Sequence, residues 1–288
     1  MNYILLSDTG GKNLKKGQNY LKDFLFILPS FLGVSIFVLI PFIDIIKRSF
    51  TNVTGELFVG FYNYEKVFQN TAFRLAMGNT LRFLIICVPL LLSFSLLLAN
   101  IVYAWERTLK RTCLYQSICL LPMAVPIASL VFVWKIIFHR NGVWNHYFGS
   151  SIDWLNSSYA FAVLVGSFLW KNMGYYVVLW LTGLEGIPES LYEAAALDGA
   201  GSMKKFWYIT LPSLKSMTSA TFILALTGTF KSYREAYLLA GEYPDKSIYM
   251  IQHILHNWFR DMSMEKMSAS AVVIVGIFAV IVYQMGGD

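Results

Sequence analysis

Apolar positions in this chain come in long blocks separated by polar stretches, and not in the alternating or striped patterns of half-buried strands and helices. Six blocks read as spans: residues 24–46, 83–104, 114–138, 159–182, 211–230 and 269–283. A helix crossing a hydrocarbon core takes roughly 20 mostly apolar residues. Only a helix or a closed barrel satisfies its own backbone polar groups there. The pattern therefore predicts an all-α integral membrane fold of six transmembrane helices. Prolines 29, 41, 89, 122 and 126 fall inside the blocks and are expected as kinks, which a bundle tolerates.

The segments between the blocks differ in kind. Residues 47–82 and 231–268 read as long loops rich in aromatics and charges, 105–113 as a short basic loop, and 183–210 as a polar insertion. Composition agrees with the blocks: 56% of the 288 residues are hydrophobic and only 14% charged, with a mean hydropathy of +0.53. A soluble chain is nearer a quarter charged. The formal charge of +6 gathers at Lys12, Lys15, Lys16 and Lys22 and at Arg107, Lys110 and Arg111. That placement suits anionic headgroups and not nucleic acid.

Six spans put both termini on one side. The dense basic segments predict a cytoplasmic tail over residues 1–23 and a membrane domain over 24–288, although Lys47, Arg48, Lys231 and Arg234 flank spans on the opposite side. The first block is long and lacks a small-residue cleavage site, so it reads as a retained span and not a signal peptide. Cys87, Cys113 and Cys119 have no metal spacing and read as small buried hydrophobes.

The insertion at 183–210 contains EAAALDGAGSMKKFWYITLP, from Glu193 to Pro212. Pro188 and Glu189 suit a helix start, the alanines suit its body, and Gly199 suits its stop. Ser202 is placed to cap a second helix from Met203 to Thr210, which should end before Pro212. The first helix presents Leu191, Ala194, Ala195 and Ala200 as a shallow apolar surface beside carboxylates at 189, 193 and 198. Interfacial helices carry Lys or Arg on their polar face, whereas this one carries acids. It therefore reads as a docking knob for a protein with basic groups.

Glu193-Ala194-Ala195, Asp198-Gly199-Ala200, Phe206, Ile209 and Leu211-Pro212 match every fixed position of the EAA motif of ABC-importer permeases. VGFYNYEKVFQNTAFRLAMGNTLRF, LLPMAVPIASLVFVWKIIF and GLEGIPESLYEAAALDGA extend the likeness over nearly the whole chain. The sequence thus resembles sugar permeases of the maltose and glycerol-phosphate type, and among them the first member of the usual permease pair. The resemblance implies a type I importer permease fold in the inner membrane of a prokaryotic cell. It makes residues 183–210 a cytoplasmic coupling loop, with Glu193, Ala194, Ala195, Asp198, Gly199, Ala200, Phe206 and Pro212 at the ATPase contact. It also implies four companions: a second permease, a cytoplasmic ATPase dimer that holds the ATP and Mg²⁺, an extracytoplasmic binding protein and a carbohydrate cargo, expected to be an oligosaccharide. Two departures stand out. The stretch LLAGEYPDKSIYMIQHIL keeps only part of the glycine- and proline-rich segment common outside the fifth span, and Gly286-Gly287-Asp288 ends the sequence without the usual basic tail, as a truncated chain would.

The chain has no phosphate-cradling loop of its own, since Gly10-Gly11-Lys12-Asn13 lacks the upstream glycine and the hydroxyl. No cofactor, catalytic or metal site is expected in it. His253 and His256, at i and i+3, lack a third ligand and read as packed or solvent-facing.

Lys171 is the informative intramembrane charge. A lysine near the bilayer centre costs about 2.5–3.5 kcal/mol on insertion scales, so it should face the bundle or a wet cavity. Trp170, Asn172 and Tyr175 beside it suit a sugar: a ring face for stacking and donors for hydroxyls. Lys171 and Tyr175 are expected to line a polar cavity between the fourth and fifth spans. Thr227, Phe230, Tyr233 and Arg234 are weaker candidates at the end of the fifth. An importer for glycerol phosphate or another anionic solute is the alternative, and it would want more cations than Lys171. A membrane-embedded enzyme would need convergent acids or histidines within the spans, where Asp44 stands almost alone.

Overall fold

The structure, a computed structural model, describes residues 24–109 and 112–286. The basic positions Lys12, Lys15, Lys16, Lys22, Lys110 and Arg111, and residues 287–288, lie outside the described residues, as do the side chains of Arg107 and Cys113. The regular elements are helices: α1 (Phe24–Ser49), α2 (Tyr62–Gln69), α3 (Thr71–Leu109), α4 (Thr112–Ala124), α5 (Ile127–Phe138), α6 (Val143–Phe148), α7 (Ala160–Glu185) and α8 (Glu189–Leu197). They continue with α9 (Ser202–Ser213), α10 (Lys215–Phe230), α11 (Tyr233–Ala240), α12 (Ile251–Arg260) and α13 (Met264–Gly286). A single isolated bridge, Thr51 to Phe58, is the extended pairing among the described residues.

Among the described residues, four helices are long and apolar enough to span alone, and two bent pairs, each counted as one span, bring the number to six. The six predicted blocks are all present, but two breaks are sharper than kinks. The third span turns by 84° between α4 and α5, where Pro126, at ψ 135°, leaves the helical region and precedes the first turn of α5. The preceding residue is driven from helical backbone by the proline ring, so the chain breaks there instead of bending. The second bend, of 71°, separates α9 from the helix beginning at Lys215.

Pro41 and Pro212 do not end their helices. Each follows a five-residue π-turn, Ser35–Leu39 and Phe206–Thr210, closed by Ile40 N–H to Ser35 O and Leu211 N–H to Phe206 O. The widened turn gives the proline ring room beside the carbonyl four residues back and leaves no orphaned donor. The helix expected to stop before Pro212 therefore runs on to Ser213.

The chain forms two compact units. Within residues 1–65 and 263–274, α1 is exposed along its apolar length, as a helix bathed in lipid is. Its far end is tied by Asn63, whose amide donates to Ser49 O (3.0 Å) and Thr51 O (2.8 Å). The Phe50 ring packs on Phe61 and Tyr64 at 5.5 and 5.3 Å.

Within residues 66–262 and 275–288, α3 buries a stripe of Ala76, Phe83, Cys87, Leu91, Ser95 and Ala99, the three-and-four spacing of one helix face. It begins twelve residues before the predicted span because Arg74, Asn79 and Arg82 mask this stripe in a hydropathy window. Its 39 residues are about 58 Å long at 1.5 Å per residue. The stripe packs on α7, where Trp180 Nε1 donates to Ser95 Oγ at 3.0 Å in a buried contact. Ser95→Ala leaves that indole N–H without its acceptor and should lower stability by about 1–3 kcal/mol. Thermal unfolding of the detergent-solubilised protein reads this, and an unchanged midpoint would refute it.

Helices α7 and α4 meet backbone to backbone. A Cβ on Gly174 would sit 1.7 Å from the Cys119 carbonyl oxygen, so only glycine allows this approach. The 231–268 segment, expected as loop, is largely helical and clamps the start of α3. Asn79 donates to Lys246 O and Tyr249 O (2.6 and 2.9 Å), Ile251 N–H donates to Thr80 Oγ1 (2.9 Å), and Trp258 stacks on Phe73.

Candidate functional site

Two features carry the functional argument, one at each end of α10. The first is the α8–α9 element. Helix α8 ends in a double closure: Gly199 N–H donates to Ala196 O (3.1 Å) and Ala200 N–H to Ala195 O (2.9 Å). This is the Schellman pattern, and it needs a left-handed residue. Gly199, at φ +75°, supplies it. Gly201, and not Ser202, occupies the N-cap of α9, and no side chain caps that helix. Tyr192 Oη and Thr210 Oγ1, 2.9 Å apart, pin α8 to α9.

The inner side of this element is keyed to the helices behind it. Leu184, Ile187 and Leu214 are buried with Trp180 and Leu181, and Tyr192 and Ile209 pack on the same cluster. Phe206 is half-buried and lines a cleft of about 420 Å³ with Tyr103 and Asn100 of α3. The outer side is open. Glu193, Ala194 and Asp198 are exposed, Ala195 and Ala200 half-exposed, and Leu197 is 91% exposed. Pro212 is exposed beside the bend into α10. The sequence reading missed Leu197, whose apolar tip extends the surface formed by the alanines.

The second feature lies at the other end of α10, about 24 Å away along 16 residues. Lys171 Nζ donates to Glu235 Oε1 at 3.0 Å, joining the middle of α7 to α11. Both side chains are mostly buried, 17% and 12% exposed. They line a cavity of about 490 Å³ together with Phe230, Lys231, Arg234 and Gln252. A lysine in a span is tolerable when hydrated or paired, and here it is both paired and beside a cavity.

The expected companions of Lys171 are elsewhere. Tyr175 packs on the core and edge-on to Tyr176. Trp170 turns its ring to Trp134, edge to face at 5.6 Å. The Asn172 amide donates to Phe168 O (2.8 Å), and Thr227 Oγ1 to Ile223 O (2.9 Å), each within its own helix. Of the weaker candidates, Phe230, Tyr233 and Arg234 do line the cavity. Glu235 was missed because it follows the apolar block, in a segment read as loop.

His253 is buried in packing. Its Nδ1 accepts the Met250 N–H at 3.0 Å, and the rings of Tyr233 and Tyr249 cover it at 4.8 and 5.4 Å. Burial pushes its pKa down to about 4, which keeps the ring neutral. His256 packs on Tyr237.

Residues 110–285, more than half the chain, match the family described as binding-protein-dependent transport system inner membrane component. The chain belongs to this family. The permease is 31% identical to the arabinooligosaccharides transport system permease protein AraP of Bacillus subtilis, over 75% of this chain and 71% of that one. It is 30% identical to the sulfoquinovosyl glycerol transport system permease protein SmoG of Agrobacterium fabrum, over 88% and 85%. Its fold matches that of a bacterial ABC transporter involved in the import of the acidic polysaccharide alginate, with a TM-score of 0.79 at 19% identity, covering 96% and 97% of the two chains. It is a multi-pass membrane permease subunit of an ABC importer, and a transport protein, not an enzyme.

Proposed function

We propose that this permease forms, with a second permease, the path by which a carbohydrate enters the cell, and that a cytoplasmic ATPase dimer docks on the α8–α9 element. An oligosaccharide is the cargo best supported, since relatives covering most of the chain are permeases for arabinooligosaccharides and sulfoquinovosyl glycerol. The observation that carries the reading is the two-sided construction of α8–α9. Its outer face offers the exposed carboxylates of Glu193 and Asp198, small residues and Leu197, while its inner face is locked into the bundle by Leu214, Ile187 and Tyr192. Such an element passes a push on its exposed side to the ends of α7 and α10 as a rigid body, and so biases a two-state opening. ATP and Mg²⁺ act at the partner. This side of the membrane is then the cytoplasmic one, and the 1–23 tail lies there too. A binding protein delivers cargo at the opposite end, near α11 and α12.

Vesicles carrying the permease with its companions should accumulate a labelled arabino- or malto-oligosaccharide only when ATP is supplied together with the binding protein. Accumulation driven by an ion gradient without ATP would contradict the reading.

A further inference from the structure

The cavity beside Lys171 is charged in a way that a path for neutral sugars does not require. Lys171, Lys231 and Arg234 face one carboxylate, Glu235, an excess of two positive charges. Glu235 is taken by Lys171. Lys231 and Arg234, one turn apart and exposed, have no carboxylate partner among the described residues. Two further observations point to a ligand. Gln252, which lines the cavity, donates its amide N–H to Phe230 O at 2.7 Å, and its Oε1 is buried with no donor. Ile127, the first residue of α5, lines the same cavity, so the positive end of that helix opens on it. Lys231 and Arg234 also lie at the end of α10 away from α8–α9, the side where basic residues are not needed to orient the chain.

We infer that this cavity is a subsite for an anionic sugar unit, one carrying a carboxylate or a comparable acidic group. This rests on the carbohydrate reading above and narrows it. The acidic group pairs with Arg234 and Lys231, Arg giving a two-pronged contact and Lys a point charge. A sugar hydroxyl donates to Gln252 Oε1, satisfying the orphaned acceptor. Glu235 keeps Lys171 from holding the anion too strongly, which allows release.

The test is binding to the purified importer complex without its binding protein, at low salt, with three probes: trigalacturonate, maltotriose and glycerol 3-phosphate. Trigalacturonate should bind at least about tenfold tighter than maltotriose, as a charge-assisted pair of about 1.5–3 kcal/mol requires. The Lys231→Gln/Arg234→Gln double variant should lose that advantage and bind the two trisaccharides alike. Equal binding of the two trisaccharides, or an unchanged preference in the variant, overturns the inference and leaves the saccharide reading standing. Binding of glycerol 3-phosphate with neither trisaccharide overturns both. Loss of the second permease from the variant complex would make the two cations interface groups and also overturns the inference.

Discussion

Gly199→Val is expected to abolish ATP-driven uptake, by at least about a hundredfold, while the chain stays inserted in the membrane. Gly199 sits at φ +75°, where a β-carbon costs roughly 1–2 kcal/mol and a branched one more. The strain is relieved by opening the closure between Ala200 N–H and Ala195 O, and α8 then no longer presents Glu193, Ala194 and Leu197 on one rigid knob. Gly199→Asn is the control, because asparagine tolerates the left-handed region, and it should keep most of the uptake. Glu193→Lys tests the charge on the same knob without touching the turn and should weaken ATPase association. Uptake by vesicles and ATPase recovered with the tagged permease are the two readouts. Full activity of Gly199→Val would show that the turn is dispensable.

Lys171→Met should destabilise the permease by about 3–5 kcal/mol, because it strands a mostly buried Glu235 carboxylate. Removing both charges, as Lys171→Met/Glu235→Leu, should recover most of that loss, since two apolar groups replace a pair that must be desolvated. Uptake should stay low in both, at least about tenfold below wild type, because the ion pair joins α7 to α11 at the cavity. Thermal unfolding separates the stability effect from transport. A single variant as stable as the double one would mean that Glu235 finds another partner or reaches water.

Much of this was legible in the sequence because it is written locally. The spans follow from apolar blocks, and the helix–glycine–helix of 189–210 from alanines, Gly199 and its neighbours. What was not legible depends on contacts between distant segments. Glu235 meets Lys171 across 64 residues, and no local rule pairs them. Tyr175 is one turn from Lys171 in sequence, but that turn carries it toward the α8–α9 end, where α7 packs on the core. The reading of 231–268 as loop failed because amphipathic α12 has too few apolar residues to stand out in a hydropathy window, yet Ile251, Ile254 and Trp258 bury one face. The break at Pro126 was legible as a proline, but not as an 84° turn, since that angle is set by what α5 packs against.

Most directly, the coupling claim is tested by a photoreactive side chain placed at Leu197, compared with the same group at Phe132, exposed on α5. Membranes holding the whole importer are irradiated and the adducts identified. The expected result is an adduct with an ABC-type ATPase from Leu197, and none from Phe132. An ATPase adduct at Phe132, or lipid and no ATPase at Leu197, would contradict docking on the α8–α9 element.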